Sequence, residues 1–168
     1  MFLQEVTAVD EALLNRFKCS NNDDKVGSYL RNEAVAHHKK SLTKTHVVTN
    51  GEEIIGFYAM FADSVQVFKN KIQQQGWGLG GKQKQFPAVR IHYMGVDQKF
   101  EGQGYGSALL YSALDVIYEM NEFVGINFIA LEAINGTEEF YQQKEFVHLY
   151  SVNRDLNMMV LKIESIQD

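Results

Sequence analysis

Hydrophobic and polar positions along the first forty residues predict a strand followed by two helices. Weak alternation over 2–9 favours a strand, since successive side chains of a strand point to opposite faces. Apolar residues recur at helical spacing over 10–18, where Asp10 suits the N-cap, and again over 24–40. The polar run 21–24 separates the two helices as a loop and capping segment. The amino-terminal part of the chain therefore mixes both kinds of secondary structure.

A β-hairpin is the clearest signal in the middle of the chain. Two runs rich in β-branched and aromatic residues, over 44–50 and 53–62, meet at the dipeptide Asn50-Gly51. Asn-Gly between strand-like runs is typical of a type I′ turn, in which both central residues have positive φ. The pattern therefore predicts two adjacent antiparallel strands.

A polar and glycine-rich stretch over 69–86 predicts a long mobile loop. Loops of this length often act as lids or carry binding residues. Trp77 lies within the stretch, where it either anchors the loop to the core or contacts a substrate.

The second half of the chain continues with alternating strands and helices. Apolar runs predict strands, and helical spacing predicts helices, in this order: strand 89–96, helix 104–121, strand 125–133, helix 137–144, strands 147–152 and 158–163. The sequence of elements indicates a mixed α/β or α+β sheet rather than a doubly wound one. At 168 residues the chain suits one domain covering 1–168.

A glycine-rich turn, Glu101-Gly102-Gln103-Gly104-Tyr105-Gly106, lies between a predicted strand and a predicted helix. The first amides of a helix lack intrahelical partners, and the helix dipole adds partial positive charge, so such a turn can bind phosphate. Its spacing differs from the G-x-G-x-x-G of dinucleotide folds, and no P-loop lysine follows. The turn therefore predicts a phosphate site of another kind, with a tight structural turn as the alternative.

The composition is ordinary for a soluble globular domain, with 45% hydrophobic and 22% charged residues. No apolar run reaches the roughly 20 residues that a membrane span requires, and the amino terminus lacks the pattern of a signal peptide. The single cysteine, Cys19, excludes an internal disulfide and a cysteine-based zinc site. We therefore expect a cytoplasmic protein that does not associate with a membrane.

The net charge of −5 argues against broad electrostatic binding of nucleic acid, which needs a basic surface. Two local basic clusters exist, one between His37 and His46 and one around Lys82 and Lys84, and both suit solvated surface. The histidines and carboxylates have no metal-binding spacing, so we expect no metal.

The turn and its flanks also resemble a known family. Val96-Asp97 followed by 100–110 is similar to the coenzyme A motif of the GNAT family of N-acetyltransferases. In that motif, Gln or Arg is followed by two residues, Gly, one residue, and Gly or Ala. Gly104 and Gly106 fit the pattern, whereas Glu101 takes the first position. A carboxylate there is unfavourable beside a pyrophosphate unless it points away.

A second segment, 132–146, resembles the family's later strand and helix. In that region of the family an Asn often contacts the coenzyme arm, and a Phe-Tyr pair precedes Gly-Phe. Asn135, Phe140 and Tyr141 fit, whereas Glu145 takes the place of the Gly. Two motifs in the right order extend the resemblance over most of the chain.

The resemblance implies an α+β fold, with a central, mostly antiparallel twisted sheet of about six to seven strands and about four flanking helices. It implies acetyl-CoA as co-substrate and direct attack of a primary amine in a ternary complex. The coenzyme-binding residues that it implies are Met94, Gly95, Val96, Gly102, Gln103, Gly104, Tyr105, Gly106, Ser107 and Asn135. The backbone around Gly95 would polarise the thioester carbonyl, as an oxyanion site does.

The resemblance also suggests catalytic roles. Tyr141 is the candidate general acid for the departing thiolate, because a phenol of pKa near 10 can protonate a thiolate whose acid has a pKa near 8.5. Glu132 and His92 are candidates for a general base, the first through burial at a strand end and the second through its ordinary pKa. For each base, a structural place in the sheet is the alternative.

Single residues in the amino-terminal half are similar to the acetyltransferase toxins of toxin–antitoxin pairs, which acetylate aminoacyl-tRNA. These residues lie within 17–19, 29–34, 45–48 and 54–59. Three functions therefore stay open. The first is N-acetylation of a small-molecule or protein amine, with a homodimer as the expected assembly. The second is toxin-like acetylation of aminoacyl-tRNA, with tRNA and an antitoxin as partners. The third is a non-catalytic module that binds acyl-CoA.

Overall fold

The computed structural model describes residues 1–20, 24–80 and 84–166. Its strands are β1 (Phe2–Glu5), β2 (Lys44–Thr49), β3 (Ile54–Gln66), β4 (Gln85–Val96), β5 (Phe128–Ile134), β6 (Val147–Ser151) and β7 (Leu156–Lys162). Its α-helices are α1 (Glu11–Arg16), α2 (Lys25–Asn32), α3 (Ala34–Lys39), α4 (Lys69–Gln75), α5 (Tyr105–Asn121) and α6 (Glu138–Gln142). Short 3-10 helices span Val6–Ala8, Gln98–Phe100 and Ile163–Ile166.

The strands form a seven-stranded sheet in the order β1-β2-β3-β4-β5-β7-β6. Strand β2 pairs antiparallel with both β1 and β3, and β7 pairs antiparallel with both β5 and β6. The α+β class and the mostly antiparallel sheet are therefore confirmed. The described residues form six α-helices instead of the expected four.

The chain divides into two compact units, and each is assembled from two stretches of sequence. The first unit comprises Met1–Phe61 and Ile91–Asp115, and the second comprises Ala62–Arg90 and the chain from Val116 onward. The organisation as a single domain stays a prediction.

Aromatic residues fill the core of the first unit. Tyr29 and Phe57 are fully buried, and the ring of Phe57 meets that of Phe17 edge-on at 5.4 Å between centroids. Tyr29 stacks on Tyr93 at 4.3 Å, and its hydroxyl shares a 2.8 Å hydrogen bond with Thr43. The buried phenol therefore keeps a polar partner, as burial of a tyrosine requires.

The core of the second unit includes Trp77. Its ring meets that of Phe128 at 5.1 Å, and Phe86 meets Phe128 from another direction at 5.7 Å. Trp77 is partly buried against this apolar cluster, which also includes Ile72 of helix α4. The packing supports the anchoring role for Trp77.

The prediction of a loop over 69–86 is wrong in part. Helix α4 occupies Lys69–Gln75 and ends at Gly76, whose φ of 66° caps the helix, and strand β4 already begins at Gln85. The helix escapes sequence inspection because a single apolar residue, Ile72, is its buried contact. Residues 81–83 of the predicted loop lie outside the described residues.

Three further predictions need correction in the amino-terminal half. The strand predicted over 2–9 ends at Glu5 and continues as a 3-10 helix. The helix predicted over 24–40 is interrupted at Glu33, whose φ of −124° is not helical. In the polar run 21–24, predicted as a loop, Asp24 takes the N-cap position of α2. Residues 21–23 lie outside the described residues. The Asp10 cap is confirmed, since its carboxylate accepts a 2.7 Å hydrogen bond from the Ala12 N–H.

The hairpin is confirmed, but its turn is not type I′. A four-residue connection separates β2 from β3, and Asn50 lacks the positive φ that a type I′ turn requires. The Asn50 side chain instead accepts hydrogen bonds from the N–H groups of Glu52 at 3.0 Å and Glu53 at 2.8 Å. The asparagine therefore shapes the turn through its side chain.

Candidate functional site

The glycine turn lies directly before helix α5, in the first unit. Gly102 and Gly104 have φ angles of 73° and 85°, a left-handed conformation that favours glycine. The N–H of Ala108 donates to the carbonyl of Gly104 over 3.2 Å, which begins the helical hydrogen-bond pattern. The amides of 105–107 precede this bond and therefore have no partner within the helix.

The space in front of the turn is open. A Cβ added to Gly102 or Gly104 would meet no atom within 4 Å, and residues 101–104 are exposed. Gln103 turns its side chain back to donate to the carbonyl of Lys99 over 3.3 Å. Exposed glycines and amides without intrahelical partners at the start of a 17-residue helix fit a pyrophosphate group.

The end of strand β4 comes very close to the segment around Cys19. A Cβ on Gly95 would lie 2.6 Å from the sulfur of Cys19 and 2.8 Å from Cγ1 of Val26, so only glycine fits. The thiol of Cys19 donates to the carbonyl of Val96 over 3.4 Å. Met94, Gly95 and Val96 are half-buried. Their contact with the pantetheine arm stays a prediction.

The thiol of Cys19 is held in its neutral form. Burial raises its pKa to about 12, and the nearby carboxylates of Asp24, Glu101 and Asp97 act in the same direction. Because the thiolate is the reactive species, this cysteine has a packing role.

Tyr141 lies in the second unit, on the short helix α6. Its half-buried ring meets Phe140 edge-on at 5.0 Å and Phe146 at 5.8 Å. Burial raises the pKa of Tyr141 to about 12. The phenol therefore stays protonated at neutral pH, as a general acid must be, and the raised pKa also makes it a weaker acid than a phenol of pKa near 10.

Asn135 follows strand β5 in the second unit. Its backbone N–H donates to the carbonyl of Asp155 over 2.7 Å, and its side chain is exposed. Nearby, the carboxylate of Glu138 accepts from the N–H of Gly136 and from the amide of Asn157, both at 2.6 Å. These bonds fix the loop that presents the Asn135 side chain.

Glu132 belongs to an ion-pair network across neighbouring strands of the second unit. Its carboxylate accepts from Nη1 of Arg90 at 2.8 Å, and Nε of Arg90 lies 2.6 Å from Oδ2 of Asp63. This pairing supports the structural alternative for Glu132, and its role as a base stays a prediction. Sequence reasoning missed Arg90 and Asp63, although a charge inside an apolar strand is a usable signal.

His92 is exposed on strand β4 of the first unit, and aromatic rings surround its imidazole. Its centroid lies 5.3 Å from that of Phe61, 5.6 Å from that of Tyr29 and 4.3 Å from that of Tyr93. The first two contacts are edge-on. These contacts hold the ring in one orientation, and its role as a base stays a prediction.

The first unit thus contains His92, the end of β4 and the glycine turn, and the second contains Glu132, Asn135 and Tyr141. Within the described ranges, no group of three or more His, Cys, Asp or Glu side chains could hold a metal ion. In the same ranges, no helix is long and apolar enough to cross a membrane.

The family model described as the acetyltransferase (GNAT) family matches residues 11–146. The chain belongs to the GNAT family. It is therefore an N-acetyltransferase that uses acetyl-CoA. Binding of the pyrophosphate at the open glycine turn of this GNAT chain stays a prediction.

Curated relatives of this GNAT chain are toxins. A tRNA-acetylating toxin of Mycobacterium tuberculosis (strain ATCC 25618 / H37Rv) is 24% identical over 149 residues, which cover 84% of this chain and 87% of the relative. A probable toxin TacT of Sinorhizobium fredii (strain NBRC 101917 / NGR234) is 29% identical over 131 residues, covering 75% of this chain and 69% of the relative.

Solved structures have the same fold. AtaT complexed with acetyl-methionyl-tRNAfMet matches with a TM-score of 0.79 at 22% identity, over 99% of this chain and 96% of that chain. A bacterial toxin matches with a TM-score of 0.83 at 20% identity, over 99% of this chain and 93% of that chain. AtaTR bound with acetyl-CoA matches with a TM-score of 0.77 at 20% identity, over 99% of this chain and 95% of that chain.

Proposed function

We propose that this GNAT enzyme transfers the acetyl group of acetyl-CoA to the free α-amine of an aminoacyl-tRNA, as the toxin of a toxin–antitoxin pair. The main support is the tRNA-acetylating toxin of M. tuberculosis, which aligns with 84% of this chain. An alignment of that extent includes the glycine turn. Small-molecule and protein amines are the alternative acceptors.

In the proposed reaction, acetyl-CoA supplies an activated acyl group as a thioester. The amides of 105–107 hold the pyrophosphate, and Asn135 hydrogen-bonds the pantetheine arm. The backbone N–H groups at the end of β4 polarise the thioester carbonyl. The acceptor nitrogen forms the new bond to the carbonyl carbon as the carbon–sulfur bond breaks, and the Tyr141 hydroxyl gives its proton to the sulfur. Water takes the proton that the amine loses, and the solvent returns a proton to the Tyr141 oxygen.

The charge distribution is compatible with a tRNA acceptor if binding is local. Although the chain carries a net charge of −5, Lys39, Lys40 and Lys44 are all exposed near the end of α3 and the start of β2. The Lys44 ammonium donates to the carbonyl of His38 over 3.3 Å. We define these three lysines as the basic patch, and we propose that it contacts tRNA phosphates.

The test is product analysis after incubation of the purified protein with acetyl-CoA and total aminoacyl-tRNA. Ribonuclease digestion followed by mass spectrometry should give N-acetylaminoacyl-adenosine. Parallel reactions contain deacylated tRNA, polyamines, and peptides with a free amino terminus. Acetylation of the amines or peptides but not of the tRNA would contradict the proposed acceptor, and tight CoA binding without any transfer would indicate a non-catalytic module.

The toxin assignment predicts partners and location that are tested separately. We propose an antitoxin partner and a homodimer, and we expect both in the cytoplasm, where aminoacyl-tRNA occurs. Growth arrest on expression, relieved by Tyr141→Phe, supports the toxin role. Normal growth with abundant active enzyme contradicts it.

A further inference from the structure

Glu101 stands where the GNAT motif carries Gln or Arg, and its carboxylate is directed to another segment of the first unit. Oε1 of Glu101 accepts a hydrogen bond from the backbone N–H of Ser20 at 3.3 Å. The carboxylate also contributes to the raised pKa of the Cys19 thiol. The hydrogen bond therefore directs this carboxylate toward Ser20, next to the thiol of Cys19.

Three further hydrogen bonds join residues 18–19 to residues 96–98, which lead into the glycine turn. The N–H of Lys18 donates to Oδ2 of Asp97 at 2.9 Å, and the carbonyl of Lys18 accepts from the N–H of Gln98 at 2.8 Å. The thiol of Cys19 donates to the carbonyl of Val96 at 3.4 Å. We call these bonds, together with the bond from Ser20 to Glu101, the brace. The brace ends at the residue directly before the first glycine of the turn.

Asp97 is the centre of the brace. It is buried, with 5% of its surface exposed, and its other carboxylate oxygen accepts from the N–H of Lys99 at 3.0 Å. Its own N–H donates to the carbonyl of Ile55 at 2.8 Å. Two distant stretches of chain, around Lys18 and Ile55, therefore fix the backbone that leads into the glycine turn.

We propose that Glu101 is a positioning residue, which fixes the glycine turn through Ser20 and at the same time weakens coenzyme binding through its charge. The proposal concerns the coenzyme and is independent of the acceptor. A unit charge within roughly 10 Å of a partly screened dianion changes a binding constant by about three- to tenfold. The two effects of Glu101, hydrogen bond and charge, are separable by substitution.

Two variants separate them. Glu101→Gln keeps an oxygen that accepts from Ser20 and removes the charge, so calorimetry should give a CoA Kd about three- to tenfold lower, with the difference shrinking at high salt. Glu101→Ala removes the bond as well, so hydrogen exchange of the hydrogen-bonded amides of Gln98, Phe100 and Ala108 in the coenzyme-free protein should become several-fold faster. In Glu101→Gln, which keeps the bond, we expect the same amides to exchange at the wild-type rate.

Glu52→Gln is the matched control, because Glu52 is exposed at the hairpin turn and its replacement changes the net charge equally. The control should leave both the CoA Kd and the exchange rates unchanged. The proposal is overturned if Glu101→Gln binds CoA no more tightly than Glu52→Gln. It is equally overturned if Glu101→Ala exchanges at the wild-type rate. If Glu101→Ala does not fold, the comparison of Glu101→Gln with Glu52→Gln still decides.

Discussion

At the scale of single residues, the Tyr141 hydroxyl has the clearest predicted role. Its pKa of about 12 keeps it protonated at neutral pH, so Tyr141→Phe removes a proton donor and little else. We expect kcat to fall about a hundredfold or more, with the CoA Kd changed less than about twofold. Steady-state kinetics and calorimetry measure the two effects.

Tyr150→Phe is the control for this substitution, because Tyr150 is an exposed tyrosine of strand β6. It should leave kcat unchanged. An unchanged kcat in Tyr141→Phe would remove the general-acid role and return Tyr141 to packing beside Phe140.

The buried thiol of Cys19 predicts a loss of stability in alkali. Its pKa rises from 9.0 to about 12 on folding, so the unfolded chain releases this proton first as the pH increases. The contribution is fully present below pH 9 and decreases above it, by up to about 1.4 kcal/mol per pH unit. Cys19→Ala should flatten the fall of the unfolding free energy between pH 9 and 11, as measured with urea. Equal slopes for both proteins would contradict the burial of this thiol.

At the scale of elements, the turn that follows helix α6 contains a strained residue. Glu145 has a φ of 67°, a conformation that costs a non-glycine residue about 1 kcal/mol. The N–H of Phe146 donates back to the carbonyl of Tyr141 at 3.1 Å, so the turn resembles a C-terminal cap that usually contains glycine. The strain explains why the GNAT pattern has Gly at this position.

Glu145→Gly should therefore raise the unfolding free energy by about 1 kcal/mol. Glu145→Ala removes the same charge but keeps a Cβ, so it should give no comparable gain. Denaturation in urea measures both variants. Equal stabilisation by Ala and Gly would assign the effect to charge.

The glycine turn gives a second prediction at this scale. Gly104→Ala must adopt a φ of 85° or move the turn, so we expect the CoA Kd to rise at least tenfold. Gly125→Ala is the control, because its φ is not positive and a Cβ there would meet nothing within 4 Å. Calorimetry with CoA should find the control unchanged, and equal affinities for the two variants would argue against binding at the turn.

At the scale of the whole molecule, the distribution of charge determines where an acidic protein could bind RNA. Replacement of the basic patch by glutamine should raise the KM for aminoacyl-tRNA several-fold and leave the CoA Kd unchanged. The dependence of log KM on log salt concentration should lose about one unit of slope for each phosphate contact removed.

The control triple variant replaces exposed or half-exposed lysines of the second unit, namely Lys69, Lys71 and Lys84, and lowers the net charge equally. It should retain the wild-type KM and salt dependence. If both triple variants weaken tRNA binding equally, only the net charge matters and the patch has no specific contact.

Whether a feature could be predicted from the sequence depends on whether its residues are neighbours in the chain. The hairpin and the glycine turn could be predicted because their residues are neighbours in the chain. Helix α4 could not, since its amphipathic pattern reduces to Ile72. The partnership of Arg90 with Asp63 and Glu132 depends on which strands are adjacent in the sheet, and no local pattern encodes that adjacency.

The hydrogen bonds of Asp97 have a consequence for the lifetime of the protein. Its carboxylate accepts from the N–H groups of Lys18 and Lys99, and its own N–H donates to Ile55, so the segments of residues 18 and 55 must fold against it before the turn proposed to bind the coenzyme is fixed. A ligand that recognises only the folded form shifts the folding equilibrium by mass action, by about 2.7 kcal/mol at a hundred times its Kd. The supply of CoA would therefore set the fraction of chains open to proteolysis.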